Sequence, residues 1–325
     1  MSDTSSLSLS IFPPVCSIVI PAFNEEENLE RISKKIVDTL IDNNINNYEI
    51  LFIDDGSTDR TLSILEELHQ NNQKIKFLSF SRNFGHQAAL KAALDNANGD
   101  CVISLDCDLQ HPPEFIPEMI GKWKNEGYDI VYTIRKDNKK SPFFKRISSR
   151  FFYRLLNYFS EITVEPGSAD FRLLDRKVID VIRQFHESPL FFRGIVPWVG
   201  FKQCSIEYVP RERYKGASKY SLIKMLNFAL NGIISFSIKP LFFSIYIGIL
   251  ISLLSFCYGI YAVIQKMFFN KTISGWTSLI TTILLIGGIQ LIILGIIGIY
   301  LGKLFMESKK RPPYIIQKKS DEYKH

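Results

Sequence analysis

Two long apolar runs near the end of the chain constrain its fold more than any other feature. Leu241–Ile264 and Ser278–Gly302 contain no charged residue. Each run exceeds the roughly 20 residues that an α-helix needs to cross a hydrocarbon core of about 30 Å. Because a buried helix of a soluble protein rarely stays uncharged over such a length, we predict two transmembrane helices joined by an extracytoplasmic loop at residues 265–277.

Composition argues against two classes of function. The 325 residues carry a formal net charge of +6, and the basic residues cluster in the second half instead of forming one stripe, so nucleic acid is not predicted as a partner. The five cysteines form no CxxC pair and lack the spacing of zinc ligands. Residues 1–14 lack the basic and apolar regions of a secretory signal and are predicted to be a disordered N-terminus.

Between residues 15 and 220, short apolar runs alternate with segments of helical character. The predicted strands are Cys16–Ile20, Tyr48–Ile53, Ile75–Phe80, Val102–Leu105 and Asp129–Ile134. Their alternation with helices predicts an α/β domain with a mostly parallel sheet. In such a sheet, ligands bind beyond the carboxyl ends of the strands.

Two carboxylates follow one of these strands, in the stretch VISLDCDLQHPP. Asp106 and Asp108 are two residues apart, so a strand directs both to the same face. Like charges this close are costly unless a cation or a proton relieves them, and oxygen ligands suit Mg²⁺ or Mn²⁺. A polar loop is the alternative for an isolated Asp-x-Asp pair. His111 lies beside a proline and is interpreted as a loop residue, not a general base.

Other predicted strands also end in candidate ligand-binding residues. Phe23–Glu25, Asp54–Asp55 and Arg135 each follow a strand, and we expect them to meet the carboxylate pair in one cleft. Neither GxGxxG before a helix nor a GxxxxGKS/T loop occurs, which argues against a dinucleotide dehydrogenase and a P-loop enzyme. We expect such an acidic cleft to hold a diphosphate through a metal ion.

Four motifs follow one another along this domain: IVIPAFNEEENL, DDGSTDRT, RNFGHQAAL and LDCDLQHPP. With them the chain resembles glycosyltransferase family 2, which implies the nucleotide-diphospho-sugar transferase fold (GT-A, Rossmann-like). With RYKGASKYS and the two apolar runs, residues 15–305 are similar to the bacterial polyprenyl-phosphate (undecaprenyl-phosphate) glycosyltransferases, relatives of dolichol-phosphate mannose synthase.

The resemblance implies a set of donor-binding residues. The nucleoside would contact Pro21, Phe23, Glu25, Ile53 and Asp55, and the diphosphate and metal would meet Asp106, Cys107, Asp108 and Gln110. Relatives more often have Tyr at the position of Phe23 and Ala at that of Cys107, so the missing hydroxyl is expected to alter base or ribose contacts. Core packing is the alternative for Phe23, and Asp54 is expected to shape the Asp-Gly turn.

Asp170 lies in a turn where similar transferases have an Asp that is proposed as the catalytic base. A lipid phosphate is largely ionised near neutral pH, so little proton abstraction is needed. Asp170 is therefore also a candidate for orienting the acceptor or stabilising charge. An ion pair with Arg172 or Arg176 is the alternative without a catalytic role.

Cations for the acceptor phosphate are predicted in two segments. Ser141–Ser160, which contains Arg146, interleaves basic and apolar residues and predicts either an amphipathic helix at the membrane surface or the outer face of a core helix. Arg213 and Lys219 are predicted to clamp the acceptor phosphate and the departing diphosphate, although they also fit a basic flank before a membrane helix. The resemblance implies phosphate binding for both and for Arg135.

The distribution of charge predicts the topology. The loop at 265–277 has two basic residues, whereas the tail at 303–325 has seven. By the positive-inside rule, the domain and the basic tail are predicted to be cytoplasmic in a multi-pass protein of the bacterial inner membrane, with a juxtamembrane amphipathic helix at 221–240. The small-xxx-small pattern from Gly298 to Gly302 favours a homo-oligomer.

These features predict a metal-dependent transferase at a membrane, and the resemblance implies inverting transfer of glucose from UDP-glucose to undecaprenyl or another polyprenyl phosphate, for modification of a cell-envelope glycan such as O-antigen. The alternatives are another donor (GDP-mannose, UDP-GlcNAc or an aminoarabinose-type sugar) and a non-catalytic membrane protein that binds nucleotide sugars. A processive polysaccharide synthase is disfavoured, because the chain has no QxxRW motif and only two predicted spans.

Overall fold

The computed structural model describes residues 15–136, 165, 167–185, 187, 190–209, 237–269 and 275–320. These residues divide between two compact units. The first unit contains a mixed sheet with its covering helices, and the second contains two long helices. The predicted disordered N-terminus, the predicted helix at 141–160 and residues 221–236 of the juxtamembrane helix predicted at 221–240 lie outside the described residues.

The first unit begins with alternating strands and helices. Its elements are β1 (Cys16–Ala22), α1 (Leu29–Asp42), β2 (Tyr48–Asp54), α2 (Thr61–Asn71), β3 (Ile75–Phe80), α3 (His86–Asn96), β4 (Cys101–Ser104), α4 (Ile116–Glu126) and β5 (Ile130–Arg135). A single 3₁₀ turn, Pro113–Phe115, leads into α4. The unit continues with β6 (Ser168–Asp175), α5 (Arg176–Arg183), α6 (Phe192–Trp198), β7 (Gln203–Tyr208) and, at the end of the chain, β8 (Ile316–Lys319).

The eight strands form one sheet in the order β7-β5-β6-β4-β1-β2-β3-β8. Strands β4, β1, β2 and β3 are parallel neighbours, and β5 is parallel to β7. Only β6 and β8 run antiparallel to their neighbours among the described strands. The prediction of an α/β domain with a mostly parallel sheet is therefore confirmed.

The core lies on both faces of the central strands. Every residue of β1 and β2 is buried, as expected for parallel strands that helices cover on both sides. Helix α1 is amphipathic and buries Leu29, Ile32, Ile36 and Leu40, which recur every three or four residues. This packing holds the central strands in register, so that their carboxyl ends lie along one edge.

Part of the segment predicted as a cytoplasmic basic tail, residues 303–325, belongs to the sheet. Strand β8 pairs antiparallel with β3, and Ser81 N donates to Ile315 O at 3.1 Å. The Tyr314 ring stacks on Phe80 with centroids 5.3 Å apart, and its hydroxyl donates to Asp95 Oδ2 at 3.0 Å. A four-residue lysine-containing strand has too little pattern to be recognised in a sequence, but it covers the open edge of β3.

The second unit contains α7 (Lys239–Phe269) and α8 (Trp276–Ser308). Both helices are long and apolar enough to cross a membrane, as predicted. They extend past the predicted spans at 241–264 and 278–302, so the predicted loop at 265–277 is partly helical. Hydropathy marks only the apolar part of a helix, whereas the backbone hydrogen bonds continue into its polar ends.

We expect Tyr314→Ala to loosen β8 from the sheet. The variant loses both the stacking on Phe80 and the hydrogen bond to Asp95, together about 2 kcal/mol. Limited trypsin digestion followed by mass spectrometry should show faster cleavage after Lys318 and Lys319. Tyr314→Phe is the matched control, because it keeps the ring and should be cleaved at an intermediate rate. Equal rates for all three proteins would contradict this role of Tyr314.

Candidate active site

The loops that follow β1 and β2 are joined by hydrogen bonds at the carboxyl edge of the sheet. Asn24 N donates to Ser57 Oγ and Thr58 N donates to Asn24 Oδ1, each at 2.9 Å. Glu25 N donates to Thr61 Oγ1 at 3.0 Å. Asn24 has a φ of 54°, a conformation that asparagine tolerates better than most residues. The two loops therefore form one well-connected wall of the site.

The two aspartates that follow β2 have different partners. Asp54 is buried and accepts hydrogen bonds from Ser57 N at 2.9 Å and Ser79 Oγ at 2.6 Å, so it shapes the turn. Asp55 accepts from Phe84 N at 2.7 Å and Gly85 N at 2.9 Å. Burial raises the pKa of Asp55, against the lowering effect of these two N–H groups. Its carboxylate thus holds the loop after β3, while its nucleoside contact stays a prediction.

An open cleft of about 470 Å³ borders these loops. Its lining includes Phe23, Ser57, Arg82 and Asn83, and the Phe23 side chain is 39% exposed. An aromatic ring exposed in a cleft is available to stack on a base, which favours the predicted ligand contact over core packing.

Three of the predicted donor residues are placed deeper in the site. Pro21 and Ile53 are paired across β1 and β2, and Ile53 is 0% exposed, so neither its side chain nor its backbone is open to a ligand in this conformation. Glu25 Oε2 accepts a hydrogen bond from Asn28 Nδ2 at 2.6 Å and is half-buried. Their donor contacts stay predictions.

The loop that follows β4 carries the carboxylate pair in a fixed conformation. Asp108 Oδ1 accepts a hydrogen bond from Gln110 N at 3.1 Å, and Leu109 has a φ of 61°. A left-handed leucine costs roughly 1–2 kcal/mol. His111 is buried, accepts the Asp106 N–H on Nδ1 at 3.0 Å and stacks on Phe171. His111 therefore supports the loop, in agreement with its interpretation as a loop residue.

The donor set of this loop fits a hard divalent cation. Asp106, Asp108 and Gln110 offer two carboxylates and an amide oxygen within five residues. In the part of the chain that the structure describes, no group of three or more His, Cys, Asp or Glu side chains is placed to hold a metal ion. Mg²⁺ and Mn²⁺ do not need one, since they accept water and phosphate oxygens at the remaining positions.

Cys107 lies between the two carboxylates but faces the core. It is 3% exposed, and burial raises the pKa of its thiol well above the usual value. The sulfur of Cys107 is therefore not exposed to a ligand, and its predicted donor contact stays a prediction.

Asp170 is buried near the start of β6, which the antiparallel pairing with β4 brings to the same edge. Arg193 donates to both of its oxygens, from Nε at 3.1 Å and from Nη2 at 2.8 Å, and Arg172 Nη2 donates at 3.3 Å. Burial alone would raise the pKa of Asp170, but the two guanidinium groups outweigh it and hold the pKa well below its usual range. A carboxylate of such low pKa is a weak base.

One of the two ion pairs considered for Asp170 is present. Arg172 makes that pair, whereas Arg176 donates to the backbone carbonyls of Gly99 and Ala97. Arg172 Nε is the one buried side-chain polar atom among the described residues that has no hydrogen-bond partner.

Two residues of the site were not predicted. His86, at the start of α3, places Nε2 at 3.8 Å from Asp106 Oδ1 and 3.9 Å from Asp170 Oδ2, between the two carboxylates. His86 follows the loop at the end of β3, so the rule that ligands bind beyond the carboxyl ends of parallel strands could have identified it. Arg193 lies on α6, and no local pattern in the sequence distinguishes it.

The predicted phosphate-binding cations are only partly described. Arg135 ends β5 and donates from Nη1 to Gln110 Oε1 at 3.4 Å, which places it beside the carboxylate loop. Arg146, Arg213 and Lys219 lie outside the described residues, and their contacts with phosphate stay predictions.

An oxygen-rich loop and an open cleft along the same carboxyl edge of a mostly parallel sheet form the type of site in which α/β enzymes hold phosphorylated ligands. Comparison with known protein families identifies which class of enzyme this is. The model of glycosyl transferase family 2 matches residues 17–183, and the chain therefore belongs to that family. It is a glycosyltransferase, as the four motifs predict.

Several relatives match over almost the whole chain. The uncharacterized glycosyltransferase YkcC of Bacillus subtilis (strain 168) is 46% identical over 93% of this chain and 93% of its own length. The bactoprenol glucosyl transferase of Shigella phage SfV is 42% identical over 93% of this chain and 97% of its own length. Among solved structures, the mannosyltransferase PcManGT from Pyrobaculum calidifontis aligns with a TM-score of 0.48 at 14% identity, over 69% of this chain and 64% of that chain.

The lowered pKa of Asp170 predicts a pH-dependent stability. The native pKa lies below the usual 3.8, so the stabilisation is present above about pH 4 and is lost as the pH falls through the native value. Asp170→Asn should lower the free energy of unfolding by about 3 kcal/mol at neutral pH, and the difference from the parent protein should narrow toward about pH 3.

Thermal unfolding of Asp170→Asn and of the parent protein in detergent, at neutral pH and at about pH 3, measures this difference in stability. Asp180→Asn is the matched control, because Asp180 is an exposed partner of Arg183 and such pairs contribute little. A difference between Asp170→Asn and the parent that grew on acidification would contradict the assignment of the ion pairs.

Proposed function

We propose that this protein transfers glucose from UDP-glucose to a polyprenyl phosphate at the cytoplasmic face of a bacterial inner membrane. The observation that carries the proposal is the 42% identity to the bactoprenol glucosyl transferase of Shigella phage SfV over 93% of the chain. A match of that length extends from the sheet unit into the long helices. It supports both the chemistry and the lipid acceptor.

The donor is proposed to lie along the carboxyl edge of the sheet. Its nucleoside would occupy the cleft beside Phe23, and its diphosphate would lie at the loop of Asp106, Asp108 and Gln110, with Arg135 nearby. When bound, a Mg²⁺ or Mn²⁺ ion held by this loop would neutralise charge on the diphosphate and make it a better leaving group. The oxygen donors of the loop support a metal requirement.

The proposed reaction inverts the anomeric carbon in one displacement. An oxygen of the acceptor phosphate attacks this carbon, while the bond to the diphosphate breaks and UDP leaves with the electron pair. The acceptor oxygen is already ionised near neutral pH, so the reaction needs little help from a general base. Asp170 is therefore proposed as a positioning group that holds Arg193 and faces His86, not as a base.

The membrane topology is proposed from two observations. Helices α7 and α8 are each long and apolar enough to span, and β8 lies in the same sheet as the strands that precede them. A chain whose end returns to that sheet must cross the membrane an even number of times, which supports a helical hairpin with the sheet unit and the C-terminus on one side. The basic residues after α8 support the cytoplasmic side. Self-association through Gly298 and Gly302 stays a prediction.

We expect Asp108→Ala to lower glucose transfer at least 100-fold, because the variant loses a ligand of the diphosphate-bound cation. The assay follows labelled glucose from UDP-glucose into undecaprenyl phosphate with Mg²⁺ or Mn²⁺, and chelation of the metal should have the same effect. Asp180→Ala should retain full activity, because Asp180 is an exposed residue of α5 paired only with Arg183 among the contacts described. Turnover that survives both Asp108→Ala and chelation would overturn the metal assignment.

The topology is tested with alkaline phosphatase fusions, since this reporter folds only outside the cytoplasm. A fusion after Phe269, at the end of α7, should be active, and one after His325 should be inactive. Equal activity of both fusions would contradict the hairpin.

A further inference from the structure

The cleft assigned above to the nucleoside has a wall that comes from the far end of the chain. Gln317 of β8 lines it together with Phe23, Arg82 and Asn83. These residues lie in the same compact unit, although almost 300 positions separate Gln317 from Phe23 in the sequence. The side chain of Gln317 is exposed, so its amide is available to a ligand in the cleft.

A register shift places Gln317 in a special position on β8. Ser79 pairs with Lys318 and Phe80 pairs with Ile316, so Gln317 is the extra residue that has no partner on β3. A bulge of this kind redirects a side chain and is common next to active sites. The bulge therefore explains how an edge strand turns an amide toward the cleft.

The bulge is fixed on both sides. Before it, Tyr314 stacks on Phe80 and donates its hydroxyl to Asp95. After it, Lys318 forms an ion pair with Glu66 of α2. These contacts on either side of Gln317 hold its backbone in place. Its own side chain is therefore not needed to fix the strand and is available to contact a ligand.

The place of the cleft in the sheet indicates which end of the donor it receives. The carboxylate loop follows β4, and the sheet continues from β4 through β1 and β2 to β3 and β8. Four strand spacings separate β4 from β8, which carries Gln317, or about 19 Å at about 4.8 Å each, a distance that the extended donor and the side chains at its two ends span together. A donor whose diphosphate lies at Asp106 and Asp108 and whose nucleoside passes Phe23 therefore directs its base toward Gln317.

We propose that Gln317 binds the nucleobase of the sugar donor, so that the C-terminal strand completes the donor site. The inference rests on the proposed function, which supplies the nucleotide. A primary amide has one acceptor oxygen and two donor hydrogens. Uracil presents an N–H flanked by two carbonyl oxygens, and an amide can accept from that N–H while it donates to one of the oxygens.

The experiment measures binding of UDP and of inorganic pyrophosphate to the full-length protein by calorimetry, in the presence of Mg²⁺. Gln317→Ala should weaken UDP binding at least fivefold, the effect of losing one hydrogen bond. Its affinity for pyrophosphate, which has no base, should be unchanged. Lys319→Ala is the matched control, because Lys319 is on the same strand, pairs with Leu78 and does not line the cleft.

Two results would overturn the inference. One is UDP affinity of Gln317→Ala within twofold of the parent protein. The other is an equal loss for UDP and pyrophosphate, which would mean that the substitution disturbs the whole site. Failure of the proposed function has a different signature, because the parent protein itself would then not bind UDP or would form no glucosylated lipid.

Discussion

Parallel pairing of β1 with β2 on one side and with β4 on the other is the constraint on which the whole site depends. Val19 pairs with Leu51 in β2 and with Ser104 in β4, so the three strands end close together. Their loops consequently bring Phe23, Asp55 and Asp106 to one edge. If any of the three strands ran in the opposite direction, its loop would lie at the far edge of the sheet and the site would lose one of its walls.

The charges of the site are balanced in two different ways. Asp170 is buried and is neutralised inside the protein by Arg172 and Arg193. Asp106 remains 37% exposed on its side chain, and His86 Nε2 lies 3.8 Å from its Oδ1, whereas His111 Nδ1 accepts the Asp106 N–H and so supplies no positive charge there. A buried carboxylate must have its counter-ion built in, whereas an exposed one can take it from a ligand. This contrast supports the proposal that Asp170 positions neighbouring side chains and that Asp106 faces the donor.

Features that depend on neighbouring residues were predictable, and features that depend on distant contacts were not. The strands, their parallel arrangement and the carboxylate pair follow from short apolar runs and from residues two apart. The partners of Asp170 do not, because Arg193 reaches it from a helix that no turn or strand pattern connects with the edge. Strand β8 was missed for a similar reason, since four residues form a strand here only because β3 offers them an open edge. The hydropathy pattern located both long helices but underestimated their lengths.

The position of β8 after α8 also determines the order in which the parts of the sheet are synthesised. A ribosome completes the central strands and the carboxylate loop early, and it makes residues 316–319 only after both long helices have been synthesised. Until then the outer edge of β3 presents unpaired N–H and C=O groups. A nascent chain therefore has its acidic loop long before strand β8, and the sheet is completed only after both long apolar helices have been made.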